Sequence, residues 1–284
     1  MKKTAFLIIT GALLLIGAIY FSFDGIAPAR SMPGSKLVKI VRKWELPDIL
    51  SEVSGIAMMD NNRMACIQDE AGIIFVYNLK TSKIEKKIEF GDSGDYEGIA
   101  IVGTTAYVLR SDGSIFEVND FMNQTAPAIK HTIPLKGKYD FEGLCYDKKN
   151  NRLLLNIKDM DNNEFKPIFA FDLSTKQLKP EPVFNINFND PVFDILEVKK
   201  SDKILRPTEI GIHPLTGNIY VLEAKNPKLL ILDPTGKPLK LHVFKEEQFR
   251  QAEGMSFGES GELYISNEGG HEPGNILQIL LSEK

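Results

Sequence analysis

The sequence predicts an all-β chain, a five-bladed β-propeller, preceded by one N-terminal transmembrane helix. Three observations support this prediction: a pattern of short apolar runs that occurs five times, a spare strand ahead of its first occurrence, and an uncharged stretch near the N-terminus. The composition is that of a folded domain, because 43% of the 284 residues are hydrophobic and 25% are charged. The formal net charge of −4 leaves no basic surplus for a phosphate backbone, so nucleic acid is not an expected partner.

The first 24 residues are predicted to form a signal anchor. Lys2 and Lys3 precede Thr4–Phe23, twenty residues without a charge, and a helix of that length spans about 30 Å, enough to cross a hydrocarbon core. No acceptable small-x-small cleavage site follows, although a cleaved signal peptide remains the alternative. Residues 25–36 are predicted to be a tether and residues 37–284 the propeller domain. The two lysines favour a single-pass protein of the cytoplasmic membrane, with the propeller on the periplasmic or extracellular side.

The rest of the chain is an internal repeat. Each unit starts with a motif such as Glu97-Gly98-Ile99-Ala100, followed by two further apolar runs that turn residues separate, and a fourth run usually precedes the next unit. The units start at residues 54, 97, 142, 208 and 253, and four strands in about 45 residues is the size of a propeller blade. The longer third step places an insertion within Lys179–Leu205, which we expect to form a loop or a short helix.

The ends of the chain predict how the ring closes. The fifth unit lacks a fourth strand, whereas Leu37–Leu46 is a strand without a unit, so we expect it to pair with Asn275–Leu280 and complete the last blade. The alternative, a six-bladed ring, needs another blade from the insertion, which lacks a second set of strands. We expect the closed ring to be a monomer.

The first residue of each unit predicts a metal site. The first strand of a blade lines the central channel, so these residues form one ring: Ser54, Glu97, Glu142, Thr208 and Glu253. Three carboxylates in a narrow channel repel one another unless a cation neutralises them, and carboxylate and hydroxyl oxygens suit a hard cation. We therefore expect calcium as the cofactor, with Glu52 and Glu209 as additional ligands. The alternative is that Glu-Gly only serves the geometry at the start of the strand.

A second layer of polar residues follows the second strands and predicts a polar channel mouth. Its candidate ligand-contacting residues are Asp69, Arg110, Lys158, Glu223 and Glu268. This layer is either a pocket above the ion or a solvated loop surface.

Several of these motifs resemble the bacterial SdiA-regulated family over Leu37–Lys284. The resemblance rests on Ser54-Gly55-Ile56-Ala57, Tyr96-Glu97-Gly98-Ile99-Ala100, Phe141-Glu142-Gly143-Leu144, His213–Tyr220 and Gln251-Ala252-Glu253-Gly254. It implies a five-bladed propeller similar to NHL-repeat propellers, an N-terminal membrane segment, and calcium binding through the three Glu-Gly acids. One position departs from the family pattern, because Glu209 stands where glycine is usual. The resemblance implies no biochemical activity.

Three functions follow from these observations. The first is a membrane-anchored, calcium-binding propeller that binds an unknown small-molecule or protein ligand outside the cytoplasmic membrane. The second is a calcium-dependent hydrolase, such as a lactonase, esterase or phosphoesterase, with the metal in the central channel and Asp69, Glu223 or Glu268 as general base. The third is a scaffold without a metal.

Overall fold

The structure, a computed structural model, describes residues 38–123, 126–133, 139–160, 164–198 and 200–282. Its described strands, in chain order, are β1 (Val38–Glu45), β2 (Val53–Met58), β3 (Arg63–Gln68), β4 (Ile73–Asn78), β5 (Lys83–Glu89), β6 (Tyr96–Val102), β7 (Thr105–Arg110), β8 (Ile115–Val118), β9 (Ile129–His131), β10 (Asp140–Asp147), β11 (Arg152–Asp159), β12 (Phe165–Asp172), β13 (Gln177–Leu178), β14 (Phe184–Asn187), β15 (Glu209–Ile212), β16 (Ile219–Glu223), β17 (Lys228–Leu232), β18 (Pro238–Val243), β19 (Ala252–Phe257), β20 (Leu263–Asn267) and β21 (Asn275–Leu281). Short 3₁₀ segments lie at Asp48–Leu50, Phe121–Asn123, Lys148–Asn150 and Pro191–Leu196, and the described helix α1 is Ser201–Ile204.

These strands form five antiparallel sheets, one for each predicted repeat. Blade 1 contains β2–β5, blade 2 contains β6–β9, blade 3 contains β10–β14, blade 4 contains β15–β18, and blade 5 contains β19–β21 together with β1. The first strand of each blade contacts the first strand of the next, and β19 returns to β2, so the ring is closed. The prediction of a five-bladed all-β propeller is therefore confirmed.

Blade 5 is completed by the strand from the other end of the described chain. Val38 pairs with Leu281 and Glu45 pairs with Asn275, as the sequence predicts. The same strand contacts blade 1, because the buried Trp44 indole N–H donates to the backbone carbonyl of Leu79 at 2.6 Å. β1 thus covers the edge of one blade and joins it to the next.

The insertion in the third unit extends blade 3. It contains β14, which pairs with β12, as well as the 3₁₀ segment and α1. The loop or short helix expected here is therefore accompanied by a strand. Phe193 and Leu196 are buried against apolar residues of blades 3 and 4, so the insertion fills the cleft between two blades and adds no sixth blade.

The predicted signal anchor and tether, residues 1–36, lie outside the described residues. Within the described ranges, no helix has the length and apolar character needed to cross a bilayer.

Closure by β1 predicts a large loss of stability when that strand is removed. A chain that starts at Pro47 should unfold with a free energy lower by several kcal/mol than one that starts at Gly34, because an open edge and unburied apolar side chains remain. Urea unfolding of the two chains measures the difference. Equal stabilities would refute closure by β1.

Point variants test the packing of β1 side chains without deletion of the strand. Trp44→Ala should lower the free energy of unfolding by about 3–5 kcal/mol. Val41→Ala on the same strand should change it by less than about 0.5 kcal/mol, because Val41 is 49% exposed.

Candidate functional site

Four of the five ring residues lie at irregular positions of the innermost strands, and Thr208 directly precedes β15. The strand register shifts at Ser54 in β2, at Glu97 in β6, between Phe141 and Leu144 in β10, and at Glu253 in β19. Such a β-bulge places an extra residue opposite its partner strand and re-aims its side chain. The repeated acid is therefore part of a bulge in three of the five blades.

The glycine that follows each acid lets neighbouring blades approach each other. A Cβ atom at Gly98 would lie 2.8 Å from the backbone nitrogen of Leu144 in blade 3, and one at Gly143 would lie 2.7 Å from the Cα of Glu209 in blade 4. Real Cβ atoms do not come that close to backbone. Glycine at these positions is a requirement of ring packing, so the Glu-Gly pattern has a structural role whether or not a ligand binds.

The two hydroxyls of the ring join neighbouring blades. Ser54 Oγ donates to the carbonyl of Tyr96 at 2.6 Å, and Thr208 Oγ1 donates to the carbonyl of Ala252 at 3.0 Å. Both acceptors immediately precede a ring acid. Each hydroxyl thus fixes the backbone from which Glu97 or Glu253 extends.

Glu209 also joins two blades. The contacts of its side chain explain why this position carries glutamate where glycine is usual. Its fully buried carboxylate accepts the backbone N–H groups of Leu144 and Ile210, both at 2.9 Å, while its other oxygen has no hydrogen-bond partner among the described residues. Burial raises the pKa of Glu209 well above its usual range, even though the two N–H groups act in the opposite direction. Glu209 therefore lies beside the ring and is held by blade 3.

The three predicted acids interact with one another at the channel. Glu142 is 2% exposed, and Glu97 and Glu253 are half-buried. Burial, followed by the charges of Glu142 and Asp95, raises the pKa of Glu97 to about 10. Burial raises the pKa of Glu142 to about 8, although Lys158 opposes that shift. Burial also raises the pKa of Glu253.

Lys158 lies among these acids and supplies the nearest positive charge. Its Nζ is 2.7 Å from Oε1 of Glu142. Burial disfavours its charge, but Glu142 and Glu253 outweigh burial and raise the pKa of Lys158. The sequence placed Lys158 in the mouth layer, whereas the structure places its ammonium in the acid ring.

Two other mouth residues extend the acid ring. Burial, followed by the charges of Glu253 and Asp69, raises the pKa of Glu268 to about 7. Burial and the neighbouring Glu52 raise the pKa of Asp69, one of whose oxygens is buried without a partner in the described structure. Glu52 itself is exposed.

The remaining predicted mouth residues are engaged elsewhere. Arg110 pairs with Asp112 at 2.5 Å. Glu223 and Lys228 form a buried ion pair at 2.6 Å, and Glu223 also accepts the backbone N–H of Arg206. Glu223 is therefore a structural residue of blade 4.

Sequence reasoning missed Asn156 and Arg206. Asn156 is fully buried, neither polar atom of its side chain has a partner among the described residues, and its Oδ1 lies against Gly143. The feature of the sequence that could have revealed Asn156 is a single polar residue within the apolar run of β11. Arg206 pairs with Asp159, and its charge opposes the rise in the pKa of Glu253. It follows the insertion, where the alignment of the repeats does not predict its position.

The oxygen atoms at the ring are of the types that bind a hard cation, but the described acids do not form a complete metal site. The unpaired buried oxygens of Asn156, Glu209 and Asp69 and the ring carboxylates are ligand types that calcium takes. In the part of the chain that the structure describes, however, no group of three or more His, Cys, Asp or Glu side chains is positioned to hold a metal ion. Lys158 already pairs with the most buried ring acid.

The comparison with protein families decides the family membership. The model of the SdiA-regulated family matches residues 35–271. The chain belongs to the SdiA-regulated family. No curated protein sequence matches this SdiA-regulated chain.

Solved structures support the fold of this SdiA-regulated propeller. Myxococcus xanthus glutaminyl cyclase shares 15% sequence identity with a TM-score of 0.55, over 86% of this chain and 96% of that chain. The PQQ-bound aldose sugar dehydrogenase of Streptomyces coelicolor shares 13% identity with a TM-score of 0.52, over 88% of this chain and 99% of that chain. At these identities the likeness shows the fold alone.

The raised pKa of Glu97 predicts a pH dependence of stability in metal-free protein. The folded state keeps a proton on Glu97 up to about pH 10, whereas an unfolded glutamate loses its proton near pH 4.5. The folded state therefore binds more protons between these values, and stability falls as the pH rises. The free energy of unfolding should drop by about 2 kcal/mol or more between pH 5 and pH 9.

Glu97→Gln provides the matched comparison, because it keeps the size of the side chain and removes its titration. In chelator-treated samples, its loss of stability over the same pH range should be clearly smaller than that of the wild type. Urea unfolding at pH 5, 7 and 9 measures both proteins. If their free energies of unfolding fall by the same amount over this range, the raised pKa does not belong to Glu97.

Proposed function

We propose that this chain is a membrane-anchored, calcium-binding propeller that binds a small-molecule or protein ligand outside the cytoplasmic membrane. The cation would be held at the acid ring by Glu97, Glu142 and Glu253. The observation that carries this proposal is that three carboxyl groups on the innermost strands of different blades are removed from much of the solvent and have raised pKa values, with the charge of Glu142 acting on Glu97 and that of Glu253 acting on Glu142. A divalent cation offsets both their burial and their repulsion.

The unpaired polar atoms beside the ring support the same proposal. Buried oxygens without a partner are costly, and bound water or an ion usually satisfies them. Asn156 and Glu209 provide such oxygens at the wall where blades 3 and 4 meet. Ordered water between these atoms and a bound ion would complete the coordination that three carboxylates leave open.

The proposed location agrees with the affinity expected of such a site. Calcium sites of extracellular modules have dissociation constants of about 10⁻⁴–10⁻³ M, which require a calcium-rich compartment. The uncharged segment Thr4–Phe23 would hold the propeller on that side of the membrane. Asp69 and Glu268, whose charges interact, would contact the ligand above the ion.

Calcium should stabilise the chelator-treated protein, because a ligand that binds the folded state stabilises it by mass action. At one hundred times the dissociation constant the gain is about 2.7 kcal/mol. Glu97→Gln, Glu142→Gln and Glu253→Gln should each remove most of that gain. Thermal unfolding with and without calcium measures it.

Glu89→Gln on the exposed face of β5 is the matched control and should keep the full calcium response. A wild-type protein that shows neither calcium-dependent stabilisation nor heat of calcium binding would contradict the proposed site. Equal responses of the ring variants and the control would place the cation elsewhere.

The second candidate is a calcium-dependent hydrolase, and Glu268 is the observation that favours it. A carboxyl group with a pKa of about 7 can exchange protons at neutral pH, and Glu268 lies close enough to Glu253 for their charges to interact. Glu268 would act as general base, whereas Glu223 is excluded from that role by its buried pair with Lys228.

A panel of lactones, carboxylic esters and phosphoesters tests the hydrolase directly. Turnover should require calcium, and Glu268→Gln should lower kcat at saturating calcium by 10²-fold or more, roughly the contribution of a general base. The exposed Glu246→Gln is the control. Absence of turnover across the panel in calcium-loaded protein leaves the binding module as the function.

A further inference from the structure

The ammonium of Lys158 is placed differently from that of Lys228, which pairs with the buried Glu223. Lys228 is 1% exposed at its side chain, and its partner Glu223 also bonds with Asn226 and Arg206. That pair is enclosed within blade 4. The side chain of Lys158 is 24% exposed and extends from the end of β11 to Glu142 in the ring. Lys158 can therefore leave its partner without opening the core of a blade.

The ammonium of Lys158 contacts one acid of the ring and lies within range of the charges of the other two. The nearest contact is the 2.7 Å ion pair with Glu142, and the charges of Glu253 and Glu97 also act on Lys158. Arg206 also acts on Glu253 but is already paired with Asp159, so Lys158 cannot neutralise all three carboxylates and the ring keeps a surplus of acid.

We propose that Lys158 is an internal cation that occupies the acid ring in the metal-free protein and that a divalent cation must displace to bind. The inference rests on the proposed calcium site and assigns Lys158 as the residue that sets its selectivity. Asp140, which is half-buried on β10 and is also acted on by the charge of Lys158, is the acceptor for the displaced ammonium.

Competition with Lys158 gives the ring a preference for divalent ions. A tethered group has a high effective concentration at its site, so sodium or potassium, with the same charge, gains nothing by replacing it. A divalent ion brings twice the charge to the same carboxylates and releases Lys158 to Asp140.

Calcium titration calorimetry on three proteins tests the proposal: wild type, Lys158→Met and Lys158→Arg. Lys158→Met removes the competing charge and should bind calcium at least about tenfold more tightly. Lys158→Arg retains the charge and should stay within about threefold of the wild type. Lys176→Met is the control, because it breaks a Lys–Glu pair with Glu117 on the third strand of blade 2 and should leave calcium affinity unchanged.

The outcomes separate this inference from the proposed function. Binding by the wild type and tighter binding by Lys158→Met support both. Binding by Lys158→Met alone supports the inference and overturns a calcium role in the wild type. Equal or weaker binding by Lys158→Met than by a calcium-binding wild type overturns the inference and keeps the proposed function. No binding by either protein overturns both.

Chemical labelling of the wild type tests displacement without a substitution. Acetylation of lysines, followed by mass spectrometry, should show that saturating calcium increases the labelling of Lys158 several-fold and leaves Lys176 unchanged. Labelling of Lys158 that calcium leaves constant or lowers would overturn the displacement, whatever the affinities of the variants.

Discussion

The close approach of the five innermost strands around the channel is the constraint on which the rest of the structure depends. At several of these contacts the blades can meet because the chain lacks a side chain, as at Gly98 and Gly143. The bulges beside these glycines turn the preceding residues out of the regular pleat. One geometric requirement therefore produces both the closed ring and the set of acids at its channel.

That geometry has an electrostatic consequence. Acids from three blades are removed from much of the solvent, and the charge of Glu142 acts on Glu97 as that of Glu253 acts on Glu142, which raises the pKa values of these groups. Lys158 balances part of the charge, and hydroxyls and Glu209 hold the surrounding backbone in place. Hydrogen bonds between blades thus fix the backbone around the site, and its acids outnumber the positive charges beside them, which is why we propose that a cation binds there.

The sequence predicts the fold well because the fold is repetitive. Each blade carries the same alternation and turns, and the unmatched strand at one end predicts its partner at the other, as β1 and β21 show. The site is only partly predictable, because long polar side chains choose partners that spacing does not reveal. Lys158 and Glu223 are both at the ends of second strands, yet one reaches the ring and the other pairs with Lys228 inside blade 4. Glu209 was recognised as unusual, but its bond to Leu144 depends on the distance between blades.

A crystal structure of the protein, from crystals grown with calcium, is the most direct test of whether the acid ring binds this ion. We expect one anomalous peak in the channel, about 2.3–2.6 Å from carboxylate oxygens of Glu97, Glu142 and Glu253, with the Lys158 ammonium moved away from Glu142. A channel without such a peak at saturating calcium, with the Lys158–Glu142 pair intact, would contradict this expectation.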